Sequence, residues 1–306
     1  MGAESGATPR AASTSPRVDV SVVVVTYNAL PWIESCLASI EGYDTVVVDH
    51  GSTDGTVEEV RTRFPDVRIV TQENLGLGAG WNRGIRETSG SYVLILNADA
   101  WALDDAVDRL AAFADAHPRA AVVGPRLSYP DGRLQPSVRG FPTPWRVATE
   151  YLFLRKLAPR SHALNAFYAA GFDHASVRAA EFVMGAVLLV RRAAIDDVGL
   201  LDEDFFLFSE ETDWCYRFRG AGWQVLFTPA AEFTHVAGAA HAGSMFRENV
   251  RGILRFIAKH EGARSAARTR WIVLAGCLLR APRDRQYLRI ARWLASGRVP
   301  ELLARR

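Results

Sequence analysis

Val20-Ser-Val-Val-Val-Val-Thr-Tyr-Asn28 decides the architecture. Five of its first six residues are valine, with none of the polar alternation of a half-exposed strand. A strand of this kind is covered on both faces, as in a parallel sheet flanked by helices. The chain beyond Asn28 keeps to that pattern. Residues 30–41 carry helical spacing (Trp32, Ile33, Leu37, Ile40), and Thr45-Val-Val-Val48 supplies a second strand. Ser52-Thr-Asp-Gly-Thr56 starts a helix with Val57, Val60 and Phe64 on one face. Strands at 67–70, 92–96 and 120–123 alternate with helices at 78–88 and 103–116. Strands separated by helices imply an α/β fold with a doubly wound, mostly parallel sheet.

Beyond Gly124 the pattern changes. Prolines at 125, 130, 136, 142, 144 and 159 break the periodicity, and aromatic residues crowd the stretch to residue 180, as in a binding lid. A strand with Gly185 inside it is expected over 182–190, a helix from about Glu210, and a strand over 224–227 with His235 just beyond. After Ser244 the chain reads as helix, with Phe246, Val250, Ile253, Leu254 and Ile257 in one stripe and Arg247, Arg251, Arg255 and Lys259 on another face. The expected organisation is a disordered tail over 1–17 and an α/β domain over 18–243. That domain divides into a regular half, 18–124, and a less regular half, 125–243. A basic helical extension occupies 244–306.

Composition sets limits. Of 306 residues, 49% are apolar and 23% charged, which is ordinary globular composition. Cys36, Cys215 and Cys277 are too few and too scattered for a disulfide framework or a zinc pattern, so buried free thiols are expected. The start lacks a signal-peptide core, and no stretch has the roughly 18 apolar residues of a membrane span. The net charge of +2 conceals an asymmetry. Residues 245–306 hold 15 Arg/Lys against 4 Asp/Glu, net +11, and residues 1–244 hold 21 against 30, net −9. A basic end of this size implies a polyanionic partner.

Ligands of open parallel sheets lie beyond the carboxyl ends of the strands. Here those ends carry Thr26-Tyr-Asn28, Asp49-His-Gly-Ser52 and Asn97-Ala-Asp99, so three strands deliver polar groups to one rim. Asp49 can accept the imide N–H of uracil or thymine. Asp99 suits Mg²⁺ or Mn²⁺, hard ions that bridge diphosphates. Asn74-Leu-Gly-Leu-Gly-Ala-Gly80 lacks the G-x-G-x-x-G spacing of a dinucleotide fingerprint. It reads as a turn starting a helix close to a ligand, with Asn82 and Arg83 facing a nucleotide. Phe205-Phe-Leu-Phe-Ser-Glu-Glu-Thr-Asp213 places three carboxylates behind an apolar run. Such a half-buried acid has the raised pKa of a general base. His235 is a candidate for the metal shell, and His241 a weaker one.

Val22-Val-Val-Val-Thr-Tyr-Asn28, Val46-Val-Val-Asp-His-Gly-Ser-Thr-Asp-Gly55, Leu94-Ile-Leu-Asn-Ala-Asp99, Gly185-Ala186 and Glu210-Glu-Thr-Asp213 occur in that order. Together they resemble a family-2 inverting glycosyltransferase of GT-A fold, of the bacterial rhamnosyltransferase type, over residues 20–240. The resemblance implies a sugar, rhamnose among the candidates, moved from a nucleotide-diphosphate donor to a hydroxyl of a glycan or polyprenyl-linked acceptor in cell-surface polysaccharide synthesis. It implies Thr26, Asn28, Asp49 and Asp54 around the nucleotide, with Asn82 and Arg83 nearby. It implies Asp99 and His235 on Mg²⁺ or Mn²⁺, Gly185 on the acceptor side, and Glu211 as the base, with Glu210 and Asp213 as alternatives. The sequence departs from the family pattern at His50, Asn97 and Glu211.

Work on a lipid-linked glycan implies a cytoplasmic protein held peripherally on the inner face of the membrane, with residues 245–306 on anionic lipid. An inactive sugar-nucleotide-binding scaffold and a nucleotidyltransferase are the other readings, though Thr26-Tyr-Asn-Ala-Leu-Pro-Trp32 lacks the glycine and lysine of a phosphate loop. The aromatics after residue 245 read as core, which argues against nucleic acid.

Overall fold

The computed structural model describes residues 19–169, 171–236 and 245–297, without the side chain of His162. The expected tail over 1–17, the ends of the extension and His241 lie outside the described residues. The first half alternates as expected: β1 Val20–Thr26, α1 Leu30–Ala38, β2 Asp44–Asp49, α2 Thr56–Arg63, β3 Arg68–Thr71, α3 Leu77–Arg86 and β4 Tyr92–Asn97. Then come β5 Ala100–Ala102, α4 Ala106–Ala116 and β6 Ala120–Ser128. The irregular segment holds β7 Leu134–Gln135, β8 Val138–Arg139, α5 Pro144–Tyr151, α6 His162–Asn165 and β9 Arg178–Ala179. The rest is β10 Phe182–Val183, β11 Val187–Arg191, α7 Arg192–Val198, α8 Glu210–Gly220, β12 Gln224–His235, α9 Met245–His260, α10 Ala263–Arg280 and α11 Gln286–Ser296.

The main sheet runs β3-β2-β1-β4-β11-β6-β12-β5, with β7 on β6 and β9 on β12. Strands β3, β2, β1 and β4 are parallel, as are β6 and β12, while β11 lies antiparallel between β4 and β6. Every residue of β1 is buried, which accounts for its valines. One apolar cluster, with Ile33, Leu37 and Leu110, covers one face of the sheet, and a second, with Trp81, Trp214 and Phe218, covers the other. All three cysteines are buried free thiols.

Two expected strands are corrected. The 182–190 run is two strands in different sheets: β10 pairs with β8, β11 with the main sheet, and residues 184–186 make the crossing. The strand expected to stop at 227 runs on to His235, past a register shift between Thr228 and Glu232 that contains Pro229. His235 is therefore fixed in a sheet.

The helical extension packs on the body through a third cluster, in which Val147, Tyr151 and Phe205 meet Val250, Leu254 and Phe256 of α9 and Val273 and Cys277 of α10. The cationic stripe expected to meet lipid is used inside the chain. Arg255 and Lys259 each stand 2.7 Å from a carboxylate, Asp204 and Asp202 respectively. Arg251 pairs with Glu248, and Arg247 lies over the Trp293 ring. The acidic 202–213 segment supplies the counter-charges of Arg255 and Lys259.

Candidate active site

Register builds the rim. Pairing of β1 with β2 sets Thr26 beside Asp49, and pairing with β4 sets Val25 beside Asn97. Asp49 is 1% exposed, and its carboxylate accepts from the N–H groups of Gly51 (3.0 Å) and Ser52 (2.9 Å) and from the Ser52 hydroxyl. Asn28 has left-handed backbone (φ 54°), and its amide oxygen accepts from Thr53 N–H at 2.8 Å, tying the two strand ends together. Asp54 accepts from Leu30 N–H and from both N–H and hydroxyl of Thr56, so it shapes the loop. The buried Thr26 hydroxyl has no partner.

On the far side, β12 pairs with β5 so that His235 stands opposite Ala100, and Val236 N–H donates to the Asp99 carbonyl at 3.0 Å. The His235 Nε2 is 3.3 Å from Asp99 Oδ1, and Nδ1 is 2.9 Å from Gln135 Oε1. An amide oxygen only accepts, so Nδ1 carries the hydrogen toward Gln135, and Nε2 is the nitrogen that faces the Asp99 carboxylate. An imidazole nitrogen and a carboxylate oxygen facing each other at this distance are a donor pair that a cation would fit. A ligating imidazole whose other nitrogen donates to an oxygen is the usual arrangement at metal centres. Among the described residues no third His, Cys, Asp or Glu completes a cluster, so water and diphosphate oxygens would fill the shell.

The acids open α8. Phe208 (φ 69°) and Ser209 (φ 72°) are both left-handed, a strain of about 1–3 kcal/mol each. A Cβ at Gly252 of α9 would stand 2.5 Å from the Phe208 carbonyl oxygen, so only glycine lets the extension press against this turn. The turn aims Glu210 and Glu211 inward. Burial raises the pKa of both; the charge of Glu211 raises Glu210 further, and Glu211 is pushed up to about 7 against the pull of nearby backbone N–H groups, Gly185 and Ser209 among them. Each acid keeps one buried oxygen without a partner, as does the Trp81 indole N–H. An unsatisfied buried polar group costs about 1–3 kcal/mol. Their grouping here marks a place a ligand completes.

A Cβ on Gly185 would meet Glu211 Cγ at 3.4 Å and Trp81 Cη2 at 3.0 Å, and the next residue, Ala186, accepts from Asn97 N–H at 2.9 Å. Glu211 and the strand end leading to Asp99 are thus joined through Gly185-Ala186. Gly185→Ala is expected to push Glu211 out of place and lower kcat at least tenfold, with Tm shifting by only a few degrees; unchanged turnover would show that this contact does not position the acid.

Three expected residues are placed otherwise. Asp213 is fully buried, 2.8 Å from each of Arg217 Nε, Lys259 Nζ and His260 Nε2, so its oxygens are taken up in ion pairs that tie α8 to α9. The Asn82 amide is engaged at both ends, with Leu201 backbone and Glu203. Arg83 is half exposed and pairs with Glu87 one turn on, so it faces solvent. Sequence reasoning missed Gln135, Trp81 and Arg139. A half-buried arginine on β8, Arg139 has its pKa lowered chiefly by desolvation and raised by Tyr168, Tyr129 and Glu211. The cue for Trp81 was its place in the glycine-rich helix start; Gln135 and Arg139 left none.

The family model described as glycosyl transferase family 2 matches residues 21–179. A curated relative, the N-acetylglucosaminyl-diphospho-decaprenol L-rhamnosyltransferase of Mycobacterium tuberculosis, is 34% identical over 231 residues, covering 70% of this chain and 75% of its own. Among solved structures, a mannosyltransferase of Pyrobaculum calidifontis in complex with GDP-Man and Mn²⁺ superposes with a TM-score of 0.56 at 19% identity, over 97% of this chain and 84% of that one. A structure of GalNAc-T7 with UDP, GalNAc and Mn²⁺ gives 0.57 at 13% identity, over 93% and 57%. Sheet order, rim and matches agree: the chain belongs to glycosyltransferase family 2 and is a glycosyltransferase of GT-A fold, rhamnosyltransferase-like in sequence.

Proposed function

We propose that the protein moves a sugar, rhamnose first among the candidates, from a nucleoside-diphosphate donor to a hydroxyl of a polyprenyl-diphosphate-linked sugar, with inversion at the anomeric carbon. The observation that carries this is the placement of Glu211, a half-buried acid with one buried, unpartnered oxygen, against Gly185-Ala186 and hence beside the strand that delivers Asp99. Thr26 and Asp49 receive the nucleotide, with Asn28 and Asp54 holding the loop around it. Asp99 and His235 would hold Mg²⁺ or Mn²⁺, and a cation there supplies positive charge to the departing diphosphate. Glu211, once ionised, takes the proton of the attacking hydroxyl, and one displacement inverts the centre. The relative's name supports the acceptor class, since it specifies a diphospho-decaprenol acceptor.

An acceptor of this class implies work at a membrane surface. No helix among the described residues is long and apolar enough to cross one. Trp271 (56% exposed), Leu278 and Leu279 lie outward on α10, with exposed Arg264 and Arg268 on the preceding turns and Arg283 and Arg285 just beyond. That face suits peripheral contact with anionic headgroups at about 1 kcal/mol per arginine. It replaces the Arg247–Lys259 stripe in the membrane role, and a cytoplasmic-side location goes with the same reading.

Thermal shift tests donor and metal together. With Mn²⁺, a pyrimidine nucleoside diphosphate at about 100 times its Kd is expected to raise Tm by about 5 °C or more. EDTA or Asp99→Ala should abolish the shift. A response to GDP alone would contradict the role given to Asp49.

A further inference from the structure

A cavity of about 320 Å³ lies beneath the helical extension, walled by α5, α9, α10 and the 166–168 turn, with Tyr151, Phe167, Tyr168, Phe246 and Tyr287 in its lining. Neither the donor site nor the proposed base accounts for it. Its polar lining is unbalanced. Arg146 is paired with Glu181 and Arg155 with Glu150, each at 2.5 Å. Arg280 in the lining, and Arg139 outside it but against the lining residue Tyr168, have no carboxylate within ion-pair distance among the described residues. The Arg280 side chain reaches the backbone carbonyls of Tyr151 and Glu150 and lies 4.1 Å from the Phe153 ring centre. That of Arg139 lies 5.0 Å from the Tyr168 ring centre. Half-buried arginines held against aromatic faces, with charge left over, present an anion site with apolar walls.

The cavity is connected to the acids of α8. Gly140 N–H donates to the Phe167 carbonyl at 2.9 Å, which fixes Arg139 beside Tyr168. On its other side Arg139 stands opposite Phe182 of β10, and Met184 N–H, next to Gly185, donates to the Ser137 carbonyl at 3.0 Å. From Glu211 the path therefore leads by Gly185 to Arg139, to Tyr168, and into the aromatic chamber. We propose that Arg139 and Arg280 bind the diphosphate of a prenyl-diphosphate-linked acceptor, and that the aromatic chamber between α5 and α9–α11 takes the first part of its prenyl chain. This rests on the acceptor class proposed above and assigns it a site. The order of groups along the path matches the molecule: acceptor sugar at Glu211, diphosphate at Arg139, hydrocarbon under the extension.

Farnesyl diphosphate in EDTA is the probe, since without a divalent ion the Asp99–His235 pair offers a diphosphate nothing. It should bind at least tenfold tighter than farnesol, for the phosphates, and tenfold tighter than inorganic diphosphate, for the chain. Arg139→Gln should weaken it at least tenfold. Arg280→Gln should do the same, and because Arg280 also ties α10 to α5, Tyr168→Ala serves as a second cavity variant whose folding does not depend on that tie. In transfer assays Arg139→Gln should raise KM for a prenyl-diphosphate-linked sugar at least tenfold more than it raises KM for an alkyl glycoside without phosphate. Farnesyl diphosphate binding no better than farnesol, or equally to wild type and Arg139→Gln, would overturn the assignment. Loss of metal-dependent nucleotide binding with farnesyl diphosphate still captured would instead sink the catalytic proposal and leave this site standing.

Discussion

Glu211→Gln is expected to lower kcat by about 10³-fold, within the usual range for removing a general base, and to leave nucleoside-diphosphate affinity within twofold. It should also stabilise the protein. Burial lifts the Glu211 carboxyl from 4.5 to about 7, so the folded state holds its proton to higher pH than the unfolded chain does. Between those values stability falls as pH rises, and above 7 the buried anion is a standing cost. Glutamine carries no such charge. The Tm gain of Glu211→Gln over wild type should therefore be larger at pH 8 than at pH 5, by the equivalent of about 1–3 kcal/mol. Parallel kinetics on Glu210→Gln separate the neighbours: loss of turnover there, with Glu211→Gln active, would move the base by one residue.

The second large effect is structural. Asp213→Asn leaves Arg217, Lys259 and His260 around a neutral amide in a fully buried place. Breaking a buried ion pair from one side costs about 3–5 kcal/mol. At roughly 2–4 °C per kcal/mol for a chain of this class, Tm should drop by about 10 °C. The consequence reaches catalysis, because Asp213 joins α8, which begins with Glu210 and Glu211, to the end of α9. Urea denaturation at pH 7 checks the figure. A loss under 1 kcal/mol would mean the three cations find other partners and the extension is not locked to the site through this residue.

Much of the fold was legible for a physical reason. Strands buried on both faces must be apolar throughout, so β1, β2 and β4 declare themselves, and glycines and acids at their ends mark the rim. The missed parts depend on remote partners. β5, β7, β8 and β10 are two or three residues long and exist because another segment pairs with them. β12 passes Pro229 and a bulge that read locally as a strand end. Likewise the three acids of α8 are alike in sequence. Arg217 on the same helix and Lys259 and His260, more than forty residues on, occupy Asp213, whereas Glu210 and Glu211 each keep a buried oxygen without a partner among the described residues. The basic stripe of α9 reads as solvent-facing because the counter-charges of Arg255 and Lys259 lie in a segment more than fifty residues earlier.

The proposed mechanism rests on the Glu211 carboxyl becoming ionised near neutrality and then accepting a proton. The dependence of kcat/KM on pH reads that event in the free protein. This ratio should climb about tenfold per unit up to about pH 7 and then level off, with Glu211→Gln flat over the same range. A wild-type kcat/KM that stays constant from pH 5 to 8, or a Glu211→Gln profile that keeps the same inflection, would contradict the account.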